Sequence, residues 1–224
     1  MGVLLVASCG ASDPAVFEDV AKNLNLSPVS AQTLAMYDSV QDGDITVPAV
    51  PAEYLKEDKK RQIVDYATDG PPGTIVVDPY ARRLYHVQEN GKAMRYAIAV
   101  GAAGYGFSGT ARVAYIREWP SWTPTQNMIR REPEKFSKYA SGVKGGLENP
   151  LGARALYLYR NGKDTLYRIH GTPSPWTIGE RASSGCIRMF NRDVMHLASN
   201  VKKGARVVVL SERDSGKGAP ADPD

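Results

Sequence analysis

Apolar and β-branched residues fall in short runs separated by turn residues, a rhythm that predicts strands over most of the chain. Thr74-Ile75-Val76-Val77, Arg83-Leu84-Tyr85-His86-Val87 and Met94 to Val100 read as strands, the last two joined near Asn90-Gly91. Leu156 to Tyr159 and Leu166 to His170 flank Asn161-Gly162-Lys163-Asp164, which has the make-up of a hairpin turn. Ala205 to Leu210 adds a closing strand. Helical spacing occurs twice: Leu55, Ile63 and Tyr66 predict a helix over Glu53 to Ala67, and Val194, Leu197, Ala198 and Val201 predict another. The second leaves Asn191 and Asp193 as turn or helix-cap residues. Two hairpins, further strands and few helices describe a mainly β domain, a sandwich or barrel.

Punctuation divides the rest. Residues 10 to about 50 carry Pro14, Pro28, Pro48 and Pro51 with little periodicity, which suits a tether or loosely packed arm. Asp69-Gly70-Pro71-Pro72-Gly73 marks a break, so residues 10–72 form an N-terminal arm with one helix. The stretch from Trp119 to Leu151 is long for a connection between strands, and such loops are usually functional or disordered. It carries Trp119, Trp122, Phe136 and Tyr139 among charges, as expected of a lid over residues 119–151. Residues 211–224 are small and polar, which predicts disorder.

Composition narrows the picture only slightly. The 224 residues are 42% hydrophobic, enough for one good core, and the net charge of +4 comes without a polybasic block, so nucleic acid is a poor expectation. Between Arg117 and Lys144 six basic residues face three acids, a sign suited to a polymer bearing carboxylates, or simply to a solvated loop. Two cysteines do not make a disulfide framework. The opening residues 1–9 look like the end of an export signal, and Val6-Ala7-Ser8-Cys9 resembles a lipobox in which Cys9 is lipidated. A signal also needs a charged start, and no Lys or Arg precedes Lys22. No apolar run reaches the roughly 18 residues of a spanning helix.

The chemistry concentrates in one place. His170 and Cys186 stand sixteen positions apart, joined by a loop rich in Gly and Pro. A free thiol has a pKa of about 8.5, so an imidazole in reach raises its reactive fraction. A glycine just before the nucleophile lets the backbone N–H groups of Gly185 and Cys186 converge on an oxyanion. Arg188 can hold a substrate carboxylate through its planar fork, or pair with an acid such as Asp193 or Glu180. Trp176 lies in the loop between His170 and Cys186, and Trp122 in the lid, where an indole can pack on substrate or on its own loop. Zinc is excluded as an expectation: Cys9, Cys186, His86, His170 and His196 show no paired ligand spacing.

His170-Gly171, the loop, then Ser183-Ser184-Gly185-Cys186-Ile187-Arg188-Met189 with Asn191 and Asp193 closely resembles the catalytic signature of the L,D-transpeptidases, the YkuD-type domain of bacterial cell-wall enzymes. The resemblance runs from about Gly73 to Leu210 and includes Gly145-Gly146 and Asn149-Pro150-Leu151-Gly152. It implies a catalytic domain over residues 73–210 of L,D-transpeptidase-like β-sandwich or barrel fold with a lid loop. It also implies Cys186 as nucleophile, His170 as base and the Gly171 carbonyl as its orienter. Ser184, Gly185 and Cys186 would form the oxyanion hole; Arg188, Ser183, Trp122 and Trp176 would touch substrate. No cofactor is implied. Many relatives carry a second histidine where this chain has Ser184, so any role of that residue does not transfer. The implied partners are peptidoglycan stem peptides as donor and acceptor, or an envelope-protein lysine as acceptor. The implied setting is the periplasm or cell envelope, in cell-wall organisation and cell shape, with membrane contact only through a lipid on Cys9. A carboxypeptidase or endopeptidase using the same pair, and a non-catalytic wall-binding module, are the alternatives.

Overall fold

The computed structural model describes residues 29–101, 107–181 and 186–219. In chain order the described strands are β1 (Val40–Asp42), β2 (Ile45–Val47), β3 (Gln62–Asp65), β4 (Ile75–Asp78), β5 (Arg83–Val87), β6 (Lys92–Ala97), β7 (Ala99–Val100), β8 (Gly109–Glu118), β9 (Arg154–Arg160), β10 (Lys163–His170), β11 (Ile187–Arg188) and β12 (Arg206–Val209). The helices are α1 (Ala31–Met36), α2 (Gln126–Arg131), α3 (Pro133–Phe136) and α4 (Asn191–Asn200). The fold is mainly β with few helices.

β1 and β2 form a hairpin of their own, and the other ten strands form one sheet in the order β3-β6-β5-β4-β12-β8-β9-β10-β11-β7. Only Ile98 separates β6 from β7, yet they stand eight places apart in that order. In a flat sheet that gap is roughly 40 Å, far beyond the reach of two peptide links. The sheet therefore rolls round until β7 comes back near β6. Inside the roll lies the main core, with Ile75, Val77, Leu84, Tyr96, Val113, Leu156, Leu158, Ile169, Ile187 and Val207 from the strands and Val194 and Leu197 from α4. Asn90-Gly91 and Asn161-Gly162 all have positive φ, as the tight turns of β5–β6 and β9–β10 require.

Three expectations need correction. Residues 53–67 are not a helix: a single 3-10 turn spans Ala52–Tyr54, and β3 pairs antiparallel with β6. Leu55 and Tyr66 are buried as expected, but Ile63 is 59% exposed, so the apolar positions serve two unconnected contacts instead of one helical stripe. Second, residues 29–50 are no loose arm. Tyr37 and Leu55 are buried against Ala97, Ala99, Ile178 and Phe190 of the β domain, and Asp42 is gripped by both terminal nitrogens of Arg154 at 2.7 and 2.8 Å. Third, the first part of the tail is ordered by Asp78, a buried carboxylate that accepts from Ser215 Oγ and Gly216 N, while Gly218 O accepts from Ala67 N. Residues 10–28 and 220–224, and the export signal with Cys9, lie outside the described residues.

β8 went unpredicted. Its inward positions Ala111 and Val113 are small, so the alternation is weak in sequence, although its partners β9 and β12 complete a central ladder. The 119–151 segment contains α2, α3, a 3-10 turn and a two-residue bridge between Trp122 and Val143. Its base is tied to the β1–β2 hairpin by Trp119 Nε1, which donates to Asp42 at 2.8 Å.

Candidate active site

β10 and β11 run parallel, with Ile169 opposite Ile187 and His170 opposite Arg188. Register partners in a parallel pair share a face, and side chains alternate along each strand. Ile169 and Ile187 both point into the core, so His170 and Arg188 share the opposite face. Cys186, one residue before β11, has the parity of Arg188, and Arg168 has that of His170. The alternation that buries the isoleucines thus gathers the histidine, the cysteine and two arginines. Met189 N–H donates to the His170 carbonyl at 2.8 Å, extending the pairing past the strand ends.

His170 is buried, and its Nδ1 lies 2.6 Å from the Gly171 carbonyl oxygen. A carbonyl can only accept, so Nδ1 carries the proton and the lone pair sits on Nε2. Burial, with the positive charges of Arg188 and Arg168 adding to it, pushes the pKa of His170 down to about 3, against the opposing Gly171 hydrogen bond. The neutral imidazole, with a free lone pair on Nε2, is the favoured form. Cys186 is half-buried. Burial pushes its thiol up, while a backbone hydrogen bond from Arg168 and the charges of Arg168 and Arg188 pull it down. Burial likewise lowers Arg188, with Cys186 opposing.

Arg168 was missed in the sequence. Its guanidinium grips Asp164 through two nitrogens at 2.7 and 2.8 Å and lies 4.2 Å from the centre of the Tyr157 ring. Fixing that arginine fixes the strand whose backbone faces the thiol.

The other candidates sit as follows. Ser183, Ser184 and Gly185, two of the three expected oxyanion-hole residues and one substrate contact, lie outside the described residues. Trp122 packs against Phe136 and Tyr139 within the 119–151 segment. Trp176 is 55% exposed on a 3-10 turn over Pro175–Thr177, with Tyr54 of the N-terminal segment 6.1 Å from its ring centre. Asp193 is not the partner of Arg188: fully buried in α4, it accepts from Tyr37 Oη at 3.0 Å and Arg61 Nη1 at 3.1 Å. Burial pushes its carboxyl up to about 6, against both partners. His196 shares a hydrogen bond of 2.8 Å with Tyr96 Oη, and His86 lies on β5. No group of three or more metal-ligating side chains occurs among the described residues.

Asn191, expected only to cap, does more. Its Oδ1 accepts from Ala153 N at 3.0 Å and Thr172 N at 3.2 Å, joining the start of α4 to the segments before β9 and after β10. Gly152 and Gly171 make the approach feasible, since a Cβ on either would come within 2.2 Å of that oxygen.

A rolled β domain that brings a histidine and a cysteine to one face at its β10–β11 pairing points to a known class of protein. The L,D-transpeptidase catalytic domain, YkuD, matches residues 72–209, and the chain belongs to that family. The chain is 35% identical over 141 residues to the probable L,D-transpeptidase ErfK/SrfK of Escherichia coli strain K12, covering 62% of this chain and 44% of the relative. It is 33% identical over 147 residues to the probable L,D-transpeptidase YcfS of the same strain, covering 64% and 45%. It therefore spans less than half the length of these curated relatives. A solved structure from Brucella melitensis, named a probable carnitine operon oxidoreductase, is 49% identical over 70% of this chain and 98% of its own, with a TM-score of 0.49. At that score the overlay adds nothing to the family assignment.

Proposed function

We propose that this chain is a cysteine acyltransferase acting on peptidoglycan stem peptides, an L,D-transpeptidase in activity as well as family. The observation that carries the reading is the state of His170: Nδ1 is committed to the Gly171 carbonyl, Nε2 keeps its lone pair, and the ring shares a face with Arg188 of the neighbouring strand, the face to which Cys186, one residue before that strand, belongs by alternation.

In the proposed cycle Nε2 takes the thiol proton and Sγ of Cys186 attacks the carbonyl carbon of the third stem residue. The oxyanion forms against backbone N–H groups, for which Cys186 with Gly185 and Ser184 are the candidates. Collapse breaks the peptide bond; the leaving D-alanine takes the proton from His170, and a thioester remains. An acceptor amine, deprotonated in turn by His170, attacks the thioester and returns the thiol. Arg188, on the shared face, holds a substrate carboxylate, with Ser183, Trp122 and Trp176 as further contacts and the 119–151 segment as lid. An acceptor amine on a second stem gives a cross-link, and a lysine attaches an envelope protein. The setting is the cell envelope, and no helix among the described residues is long and apolar enough to cross a membrane.

The test is intact-mass spectrometry after incubation with a carbapenem, beside Cys186→Ala. The expected result is a gain of one drug molecule in the parent protein alone. A folded protein that takes up no drug would sink the acyl-enzyme and favour a wall-binding module. Product analysis with and without an acceptor amine then separates transfer from hydrolysis.

A further inference from the structure

We propose that Asn191 is a positioning residue for the imidazole of His170, acting through the peptide plane between Gly171 and Thr172. The proposal rests on the reading of His170 as the base.

That peptide is held at both ends. Its carbonyl, on Gly171, accepts the Nδ1 proton of His170 at 2.6 Å. Its N–H, on Thr172, donates to Asn191 Oδ1 at 3.2 Å. In a trans peptide these two groups point in opposite directions from a rigid plane, so fixing one direction fixes the other. The same Oδ1 accepts from Ala153 N at 3.0 Å, which anchors it to the start of β9. Packing leaves the plane no slack. A Cβ on Gly152 would lie 2.6 Å from both Gly171 C and Thr172 N, and one on Gly171 would lie 2.1 Å from Asn191 Oδ1. Asn191 opens α4 directly after the buried Phe190, so its backbone is set by the helix and the core.

Without Oδ1, the Gly171–Thr172 peptide is free to rotate, the Nδ1 proton loses a fixed acceptor, and the ring can take the tautomer with its proton on Nε2. That tautomer cannot take a proton from the thiol. Loss of the group that fixes a catalytic imidazole is costly, because tautomer and orientation are lost together.

The experiment compares the parent protein, Asn191→Asp, Asn191→Ser and Asn191→Ala by two readouts. One is the ring nitrogen chemical shifts of His170, assigned by comparison with His170→Gln, which report the tautomer. The other is the rate of Cys186 acylation by a carbapenem. Asp keeps an acceptor in the same place and suits the first turn of a helix, so Asn191→Asp is expected to retain the Nδ1–H tautomer and stay within about threefold of the parent rate. Asn191→Ala is expected to lose about tenfold to a hundredfold and to show the Nε2–H tautomer. Asn191→Ser, whose hydroxyl is too short for either N–H but starts a helix well, gives the same result should the alanine variant fail to fold. Parent tautomer and rate in the serine and alanine variants would overturn the proposal, as would an aspartate variant no better than serine. An unreactive parent whose His170 tautomer still depends on Asn191 would overturn the acyltransferase reading and leave the positioning intact.

Discussion

His170, the proposed base, has its titration moved well below the ordinary histidine range. Burial beside Arg188 and Arg168 pushes it from 6.5 down to about 3, so the group favours the folded state in its neutral form. The stability it contributes is fully present above pH 6.5 and is lost as pH falls toward about 3. The rate should follow the same logic. Carbapenem acylation measured from about pH 5 to about pH 9 is expected to show no histidine break, because the pair that the proposed proton transfer needs, a neutral imidazole and a protonated thiol whose pKa burial has raised, is present across that range. A unit-slope loss centred at 6.5 would mean that the imidazole is solvated in the reacting protein. At this scale the sequence was legible where chemistry is local. His170, Cys186 and Arg188 stand in one short string, and strand alternation puts them on one face. Asn191 read as a helix cap because its partners, Ala153 and Thr172, lie 38 and 19 residues away and only the fold brings them to its oxygen. The signal present was a pair of glycines, Gly152 and Gly171, each without room for a side chain.

α4 was legible from the spacing of Val194, Leu197, Ala198 and Val201, but its partner was not. The segment read as a helix over residues 53–67 instead supplies Arg61 and then β3, because the open edge of β6 offers four residues of ladder that a helix would leave unpaired. Arg61 uses that route to reach Asp193. Tyr37 Oη accepts from the Arg61 backbone N–H at 2.7 Å and donates to Asp193, whose carboxylate also accepts from the Arg61 guanidinium, so Arg61 closes the triangle through both its backbone and its side chain. Burying the carboxylate beneath a half-buried guanidinium makes the pair costly to break from one side. Arg61→Met should destabilise by about 3–5 kcal/mol, because it strands a buried carboxylate. Adding Asp193→Asn should recover a large part of that loss, since the stranded charge goes with it. Urea denaturation of the two single variants and the double gives the coupling directly. Strictly additive losses would show that the pair is solvated and that α4 is held by its apolar face alone.

Across the whole molecule, residues before the family-matched region pack as part of the same β domain. Tyr37 and Leu55 are buried against Ile178 and Phe190, one in the loop between His170 and Cys186 and the other immediately before Asn191. Lys59 Nζ donates to the Ile178 carbonyl at 2.7 Å, and its side chain fills the space where Gly179, at φ +89°, has no Cβ. Gly179 N–H in turn donates to the Ile98 carbonyl, in the single-residue step from β6 to β7 where the sheet closes on itself. The N-terminal segment therefore braces the histidine–cysteine loop from behind, at the point where the roll closes. Its prolines hid this from the sequence, since they break periodicity without preventing burial. A protein beginning at Gly70 would expose that second core and lose β3 from its edge. Its hydrogen exchange is expected to quicken first at Ile178 to Glu180, ahead of β9 and β10, because local opening follows lost apolar contact. Carbapenem acylation should slow in the same protein although His170 and Cys186 are untouched. Unchanged exchange in that loop, with parent acylation, would show that residues 72–209 hold the site unaided and that the brace is only an attachment.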